Sequence, residues 1–258
     1  LRVQRSALAQ HRVVRAGDED NGHVRELISC GQALAQQKIV IADPETCTPC
    51  PADRVGEIWI KGPNIARGYW NRPEENEQMF GARLADTDEG PYLRTGDLGF
   101  ICDGKLCVTG RVKDVIIIRG GNHYPQDIER TVDDAHSLLQ PGAGAAFSVE
   151  MDGRERLVTI HEIGRHHREE ELDDVIRDIR RSIAFTHELD VCAVVLIRQA
   201  SLPRTTSGKV QRTLCRELFL TDQLKVVAQW TKSSHTSAPG GNGHAGAKGH
   251  AVGGNGAV

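Results

Sequence analysis

No apolar run in this 258-residue chain approaches the roughly 18 residues that a membrane-crossing helix needs, and no charged-then-apolar leader opens it. A cytosolic protein without stable membrane insertion is therefore expected. A basic stripe is missing too. Lys and Arg are scattered and the net charge is -3, so neither nucleic acid nor an anionic membrane is an expected partner. Seven cysteines, an odd count without a regular framework, speak against a secreted disulfide scaffold and read as free thiols. Cys47-Thr48-Pro49-Cys50 has metal or redox spacing, but no second CxxC or paired His follows it, and it lies in a Pro-rich loop. No metal site is expected there.

What is present is an ordinary globular composition, long enough for a sizeable core and for two domains. Residues 1–23 read as a strand and a polar loop, on the residues alone an edge strand of the first domain. From Val24 to Gly110, short strands alternate with Pro, Gly and Asp clusters: Lys38–Ile41, Glu57–Lys61, Leu98–Cys102 and Lys105–Val108. A small antiparallel barrel or sheet is expected, with Tyr69, Trp70 and Phe80 filling its core beside a short helix. Beyond Arg111 the pattern changes to strands alternating with helices. Asp114–Ile118, Ala145–Val149, Leu157–Glu162 and Val191–Ile197 read as strands. Pro125–Ala135, Glu169–Thr186 and Val210–Leu220 read as helices. Of these, Glu169–Thr186 carries Leu172, Val175, Ile176, Ile179 and Ile183 on one face, opposite Asp173, Asp174, Arg177 and Arg181. The expected fold class is α+β: the small β barrel or sheet, then a compact α+β unit. The Gly-, Ala-, Ser- and His-rich tail from Ser233 is expected to be disordered, its His235, His244 and His250 binding metal only adventitiously.

The stretch Tyr92 to Glu129, YLRTGDLGFICDGKLCVTGRVKDVIIIRGGNHYPQDIE, concentrates the chemistry. Asp97 follows Arg94-Thr95-Gly96 in an expected turn, where its carboxylate can accept two hydroxyl donors at once, as a ribose diol offers. Asp103-Gly104 tolerates positive φ and closes a two-residue hairpin that brings Gly110 and Arg111 back beside Asp97. That turn sets Cys102 opposite Lys105 and Cys107 opposite Phe100, so the two thiols are not cross-strand partners. Far along the chain, Lys209 sits in Thr205-Thr206-Ser207-Gly208-Lys209, a small, flexible loop from which an ammonium can reach a site built elsewhere. A Walker A loop would need glycine where Pro203 stands and Ser or Thr where Val210 stands, so that motif fails. His161-Glu162-Ile163-Gly164-Arg165-His166 has HExxxH spacing with an internal glycine, which does not put both imidazoles on one helical face. His123 reads as a structural residue rather than a base.

RTGD, then GRVKD, then PRTTSGKVQR resemble three ordered signatures of the adenylate-forming ligase superfamily, which includes acyl-CoA synthetases, luciferases and peptide-synthetase adenylation domains. IIIRGGNHYPQDIE, with Ser29-Cys30-Gly31 upstream, is most similar to the fatty acyl-AMP ligase branch, and LRVQRSALAQHRVV is similar to a segment inserted there in that branch. The match covers roughly residues 24–230. Gly121 departs from it, standing where that branch usually has a basic residue.

The resemblance implies the last third of such an enzyme: residues 1–111 the end of the large domain, 112–230 a small lid domain, and 231–258 a tail. No Ser/Thr/Gly-rich phosphate loop precedes RTGD. It implies that Asp97 and Arg111 bind the ribose or phosphates of ATP, that Lys113 is the hinge, and that Lys209 is the catalytic cation. The implied reaction, assisted by Mg2+, turns a fatty acid and ATP into acyl-adenylate and pyrophosphate. The acyl group then passes to an acyl carrier protein or polyketide synthase. An acyl-CoA synthetase fragment and a non-catalytic remnant are the alternatives.

Overall fold

The computed structural model describes residues 1–20, 23–165 and 168–232; the tail from Ser233, with its three histidines, and His166 lie outside the described residues. The chain opens with β1 (Arg2–Gln4), the short helix α1 (Arg5–Leu8) and β2 (Val24–Glu26), and β1 pairs antiparallel with β2. The edge-strand form of the expectation is not adopted. This first segment is a separate two-stranded ribbon whose Val3 and Leu8 are buried with Leu98, Phe100, Cys107 and Tyr124.

Four antiparallel strands follow: β3 (Lys38–Ala42), β4 (Gly56–Lys61), β5 (Leu93–Cys102) and β6 (Lys105–Arg111), in the order β3-β4-β5-β6. Among the described residues the sheet stays open, so the barrel form of the expectation is not adopted and the sheet form is. Asp103 and Gly104 take φ of 51° and 70°, the left-handed pair that a tight hairpin requires. Cys102 then faces Lys105 and Phe100 faces Cys107, as the turn dictates, and all seven thiols are free. The expected short helix is α2 (Pro73–Phe80), which starts on proline but buries none of its residues. Trp70 is 95% exposed and Tyr69 52% exposed, so these rings do not fill the core; Tyr69 instead meets Phe80 edge-on at 5.3 Å.

After β6 comes a 3-10 turn (Val112–Asp114), then a hairpin of β7 (Ile116–Ile118) and β8 (Gly121–His123) through Arg119 and Gly120, both at positive φ. The expected strand over Asp114–Ile118 is thus shorter, because Asp114 turns to meet a distant arginine. The remaining elements are α3 (Pro125–Asp133), β9 (Leu139–Met151), β10 (Arg154–Ile163), α4 (Glu169–His187), β11 (Val191–Arg198), α5 (Arg212–Leu220) and β12 (Val226–Thr231). Their sheet runs β12-β11-β10-β9, with β10 and β11 parallel and the other pairs antiparallel. A parallel pair needs a crossover, and α4 supplies it.

Side-chain alternation divides this second core. Ala146, Leu157, Val194 and Leu196 meet the apolar faces of α3 and α4, with Ile128, Val132, Val175, Ile179 and Ile183 buried among them. Ala145, Phe147, Val158, Ile160, Val195 and Ile197 face the other way, toward Cys215 and Phe219 of α5. The charged residues Asp173, Asp174, Arg177 and Arg181 of α4 are exposed, as its spacing requires. The strand β12 was not anticipated: its side chains are mostly exposed and its pattern is weak.

Two residues of the opening segment reach the end of β6 and the elements that follow it. Arg25 is 7% exposed; its Nε pairs with Asp127 of α3 at 3.0 Å, its Nη2 donates to the Thr109 carbonyl at 2.7 Å, and its guanidinium lies 4.5 Å from the Tyr124 ring centroid. The Asn122 backbone N–H and side-chain amide both donate to the Ala9 carbonyl, at 2.8 and 2.9 Å.

Candidate active site

The RTGD segment is shaped from beneath by a carboxylate. Glu57 on β4 is 3% exposed, and its Oε1 accepts the Gly96 N–H at 3.1 Å. Its Oε2 accepts Trp59 Nε1 at 3.0 Å and Arg94 Nε at 2.9 Å, and Arg94 Nη2 lies 2.7 Å away. A buried charge is tolerable only when paired and hydrogen-bonded, and Glu57 meets both conditions. Thr95 adds a second anchor, donating to the Ile58 carbonyl at 2.8 Å while its oxygen accepts the Asp97 N–H at 3.1 Å.

Gly96 takes φ of 71°, a conformation with a steric cost for any side chain. The pairing of β4 with β5 shifts register there, between Glu57 and Trp59. Asp97 is consequently in strand β5, next to a bulge, and not in the expected turn. Bulges re-aim side chains beside active sites. The Asp97 carboxylate remains partly open to solvent: Oδ1 accepts Arg111 Nε at 3.0 Å, and among the described residues no protein donor meets Oδ2. The two residues are directly facing partners on β5 and β6. The structure thus joins two of the residues singled out in the sequence, one at each end of the hairpin.

Lys113 lies two residues beyond Arg111, exposed in the 3-10 turn. On its near side, Gly110 has no room for a side chain, since an added Cβ would lie 2.7 Å from Tyr124 Cδ1. On its far side, Asp114 Oδ2 accepts Arg212 Nη1 at 3.2 Å, and Arg212 makes two further hydrogen bonds to Glu129, both 2.7 Å. Burial opposes the Arg212 charge, but the Glu129 bonds and the charges of Glu129 and Asp114 outweigh it and raise the pKa. Arg212 and Glu129 therefore fix the start of α5 to α3 and to the turn. Neither had been given a role in the sequence, although Arg212 ends the PRTTSGKVQR motif.

Lys209 lies in a loop whose ends pair as a bridge between Arg204 and Val210. Thr205 N–H donates to the Lys209 carbonyl at 2.8 Å, and the Lys209 N–H to Thr205 Oγ1 at 3.1 Å. The side chain is exposed, and among the described residues it forms no ion pair. No hydrogen bond or ion pair joins this loop to Asp97 or Arg111 in this conformation. His123 is half-buried in β8, and burial lowers its pKa. His161 and Glu162 lie on β10, not on a helix, and among the described residues no three His, Cys, Asp or Glu side chains gather to hold a metal.

The structure thus sets an acid against an arginine beside a strand bulge, with the lysine loop far along the chain after the 3-10 turn. Residues 113–229 match the family described as Disco-interacting protein 2-like, AMP domain, and residues 8–70 match AMP-binding enzyme. The chain belongs to the AMP-binding family of adenylate-forming ligases. It is 46% identical over 232 residues to the medium-chain-fatty-acid--[acyl-carrier-protein] ligase JamA of Moorena producens, covering 89% of this chain and 39% of that protein. It is 42% identical over 226 residues to the 4-hydroxyphenylalkanoate adenylyltransferase of Mycobacterium marinum, covering 84% and 35%. A solved structure from studies of fatty acyl-adenylate ligases of E. coli and L. pneumophila superposes with a TM-score of 0.73 at 31% identity, over 86% of this chain and 38% of that one. The chain thus spans about two fifths or less of the length of these relatives.

Proposed function

We propose that this chain is the C-terminal part of a fatty acyl-AMP ligase, with residues 1–111 closing the large domain and 112–230 forming the lid. The whole enzyme would activate a fatty acid with ATP to acyl-adenylate and pyrophosphate and pass the acyl group to an acyl carrier protein or polyketide synthase. The observation that carries this reading is the Asp97–Arg111 corner: a carboxylate held at one oxygen by a guanidinium, its other oxygen meeting no protein donor among the described residues. A ribose diol fits the free acceptor, and Arg111 offers further donors to ribose or phosphate. Mg2+ would accompany ATP in this reading, bound in part by its phosphates.

Lys209 is the catalytic residue in this reading. Attack of a carboxylate on the α-phosphate brings two anions together, and an ammonium between them lowers the barrier and orients the attack. Because, among the described residues, no hydrogen bond or ion pair joins the loop to the Asp97–Arg111 corner in this conformation, the lid would swing about Lys113 to deliver it, by rotation of a few backbone angles. Support for the acyl substrate and carrier comes from the relatives named above. A competing reading, acyl-CoA synthesis, draws on a relative named as a putative fatty-acid--CoA ligase, 46% identical over 192 residues.

The test is fatty acid-dependent exchange of labelled pyrophosphate into ATP. Protein from the complete reading frame should exchange, and residues 1–258 alone should not. Exchange by this chain alone, or thioester formation on CoA in preference to a carrier protein, would overturn the corresponding part of the reading.

A further inference from the structure

The His161-Glu162 pair, unsuited to a metal, stands behind the loop that carries Lys209. His161 is 1% exposed. Its Nδ1 meets the Glu162 carbonyl at 2.8 Å and its Nε2 meets Asp133 Oδ1 at 2.9 Å. The other Asp133 oxygen accepts the Gly142 N–H at 2.8 Å. The Gly142 carbonyl accepts Arg204 Nη2, and Arg204 Nη1 donates to the Gly208 carbonyl at 2.9 Å. Gly208 immediately precedes Lys209. A second arm starts from the same strand, where Glu162 Oε1 accepts the Leu202 N–H at 2.6 Å as the chain enters the loop.

The surroundings leave this arrangement little freedom. Gly142 takes φ of 72°, and a Cβ at Gly144 would lie 2.6 Å from His161 Cδ2, so a side chain there would push the ring off Asp133. An exposed loop lysine has many backbone and rotamer states, and each one removed in advance is entropy that the reaction need not remove. We propose that Asp133, seated by His161, and Arg204 are positioning residues that set the main chain at Gly208 and so direct the Lys209 ammonium. This rests on the reading of Lys209 as the catalytic cation. None of the three touches a reacting atom in this scheme; they act through the loop.

A double-mutant cycle on the protein from the complete reading frame, read by pyrophosphate exchange, separates positioning from general stabilisation. Arg204→Ala and Asp133→Asn should each lower kcat roughly 10-fold to 10²-fold while changing the KM for ATP little, as expected for a misdirected catalytic group. On a Lys209→Ala background, Arg204→Ala should cost nothing more, because the group it directs is gone. Arg204→Lys, which can reach one carbonyl but not both, should recover part of the rate. Should Asp133→Asn fail to fold, the exposed Arg204 decides alone. Lys209→Ala without effect would overturn the catalytic reading itself. A Lys209→Ala defect combined with wild-type rates in Arg204→Ala, or with additive losses in the double variant, would overturn this inference only.

Discussion

Arg111 Nε donates to Asp97 Oδ1 at 3.0 Å across directly facing positions of β5 and β6. Both side chains are open to solvent, so the pair adds at most about 1 kcal/mol to stability. Its value is directional. Asp97→Asn should leave the thermal midpoint unchanged and raise the KM for ATP roughly 10-fold or more, the scale of one lost hydrogen bond to a charged acceptor. Melting curves with ATP-dependence of exchange check both halves; an unchanged KM would remove Asp97 from the nucleotide site.

Arg212 makes the opposite case, since its partners Asp114 and Glu129 are largely shielded. Arg212→Met would leave two largely shielded carboxylates without their shared cation, at a cost of roughly 3 kcal/mol. Urea denaturation should show a lower midpoint. Exchange activity of the residual folded protein should fall as well, because the start of α5 follows directly from the lysine loop.

His187, at the end of α4, sets a pH dependence. Its Nε2 lies 2.8 Å from Thr131 Oγ1, and its pKa is lowered to about 4, chiefly by burial and then by the nearby charges of Arg5 and His123. In the unfolded chain it binds its proton near the ordinary histidine value of 6.5, so between pH 6.5 and about 4 the unfolded state holds a proton that the folded state does not. This contribution is complete above pH 6.5 and is lost as pH falls toward 4, with an upper bound of roughly 3 kcal/mol. His187→Gln should melt with a flatter pH dependence across that window; an identical slope would show that the ring is not held neutral.

The sequence carried the local geometry well where a turn or a period determines it. Asp103-Gly104 set the register of β5 on β6 as far as Gly99 opposite Val108, and the spacing of Leu172 to Ile183 marked the buried face of α4; the register shift between Leu98 and Gly99, which puts Arg111 and not Gly110 opposite Asp97, was not legible. What it could not carry were relations made by pairing between distant segments. Glu57 looks like any strand-edge carboxylate until β5 lays Arg94 and Gly96 against it. Asp97 looked like a turn residue because a bulge at a positive-φ glycine and a turn share the same letters. Trp70 was expected inside on hydrophobicity alone, yet it is almost fully exposed. The parallel pairing of β10 with β11 and the weakly patterned β12 left no periodic signal of their own.

Lys209→Ala, measured by fatty acid-dependent pyrophosphate exchange in protein from the complete reading frame, bears most directly on the delivery of a loop ammonium to a nucleotide held by the preceding sheet. A kcat lowered roughly 10²- to 10³-fold, with an unchanged KM for ATP and an unchanged thermal midpoint, is the expected result. Exchange at the wild-type rate would contradict it.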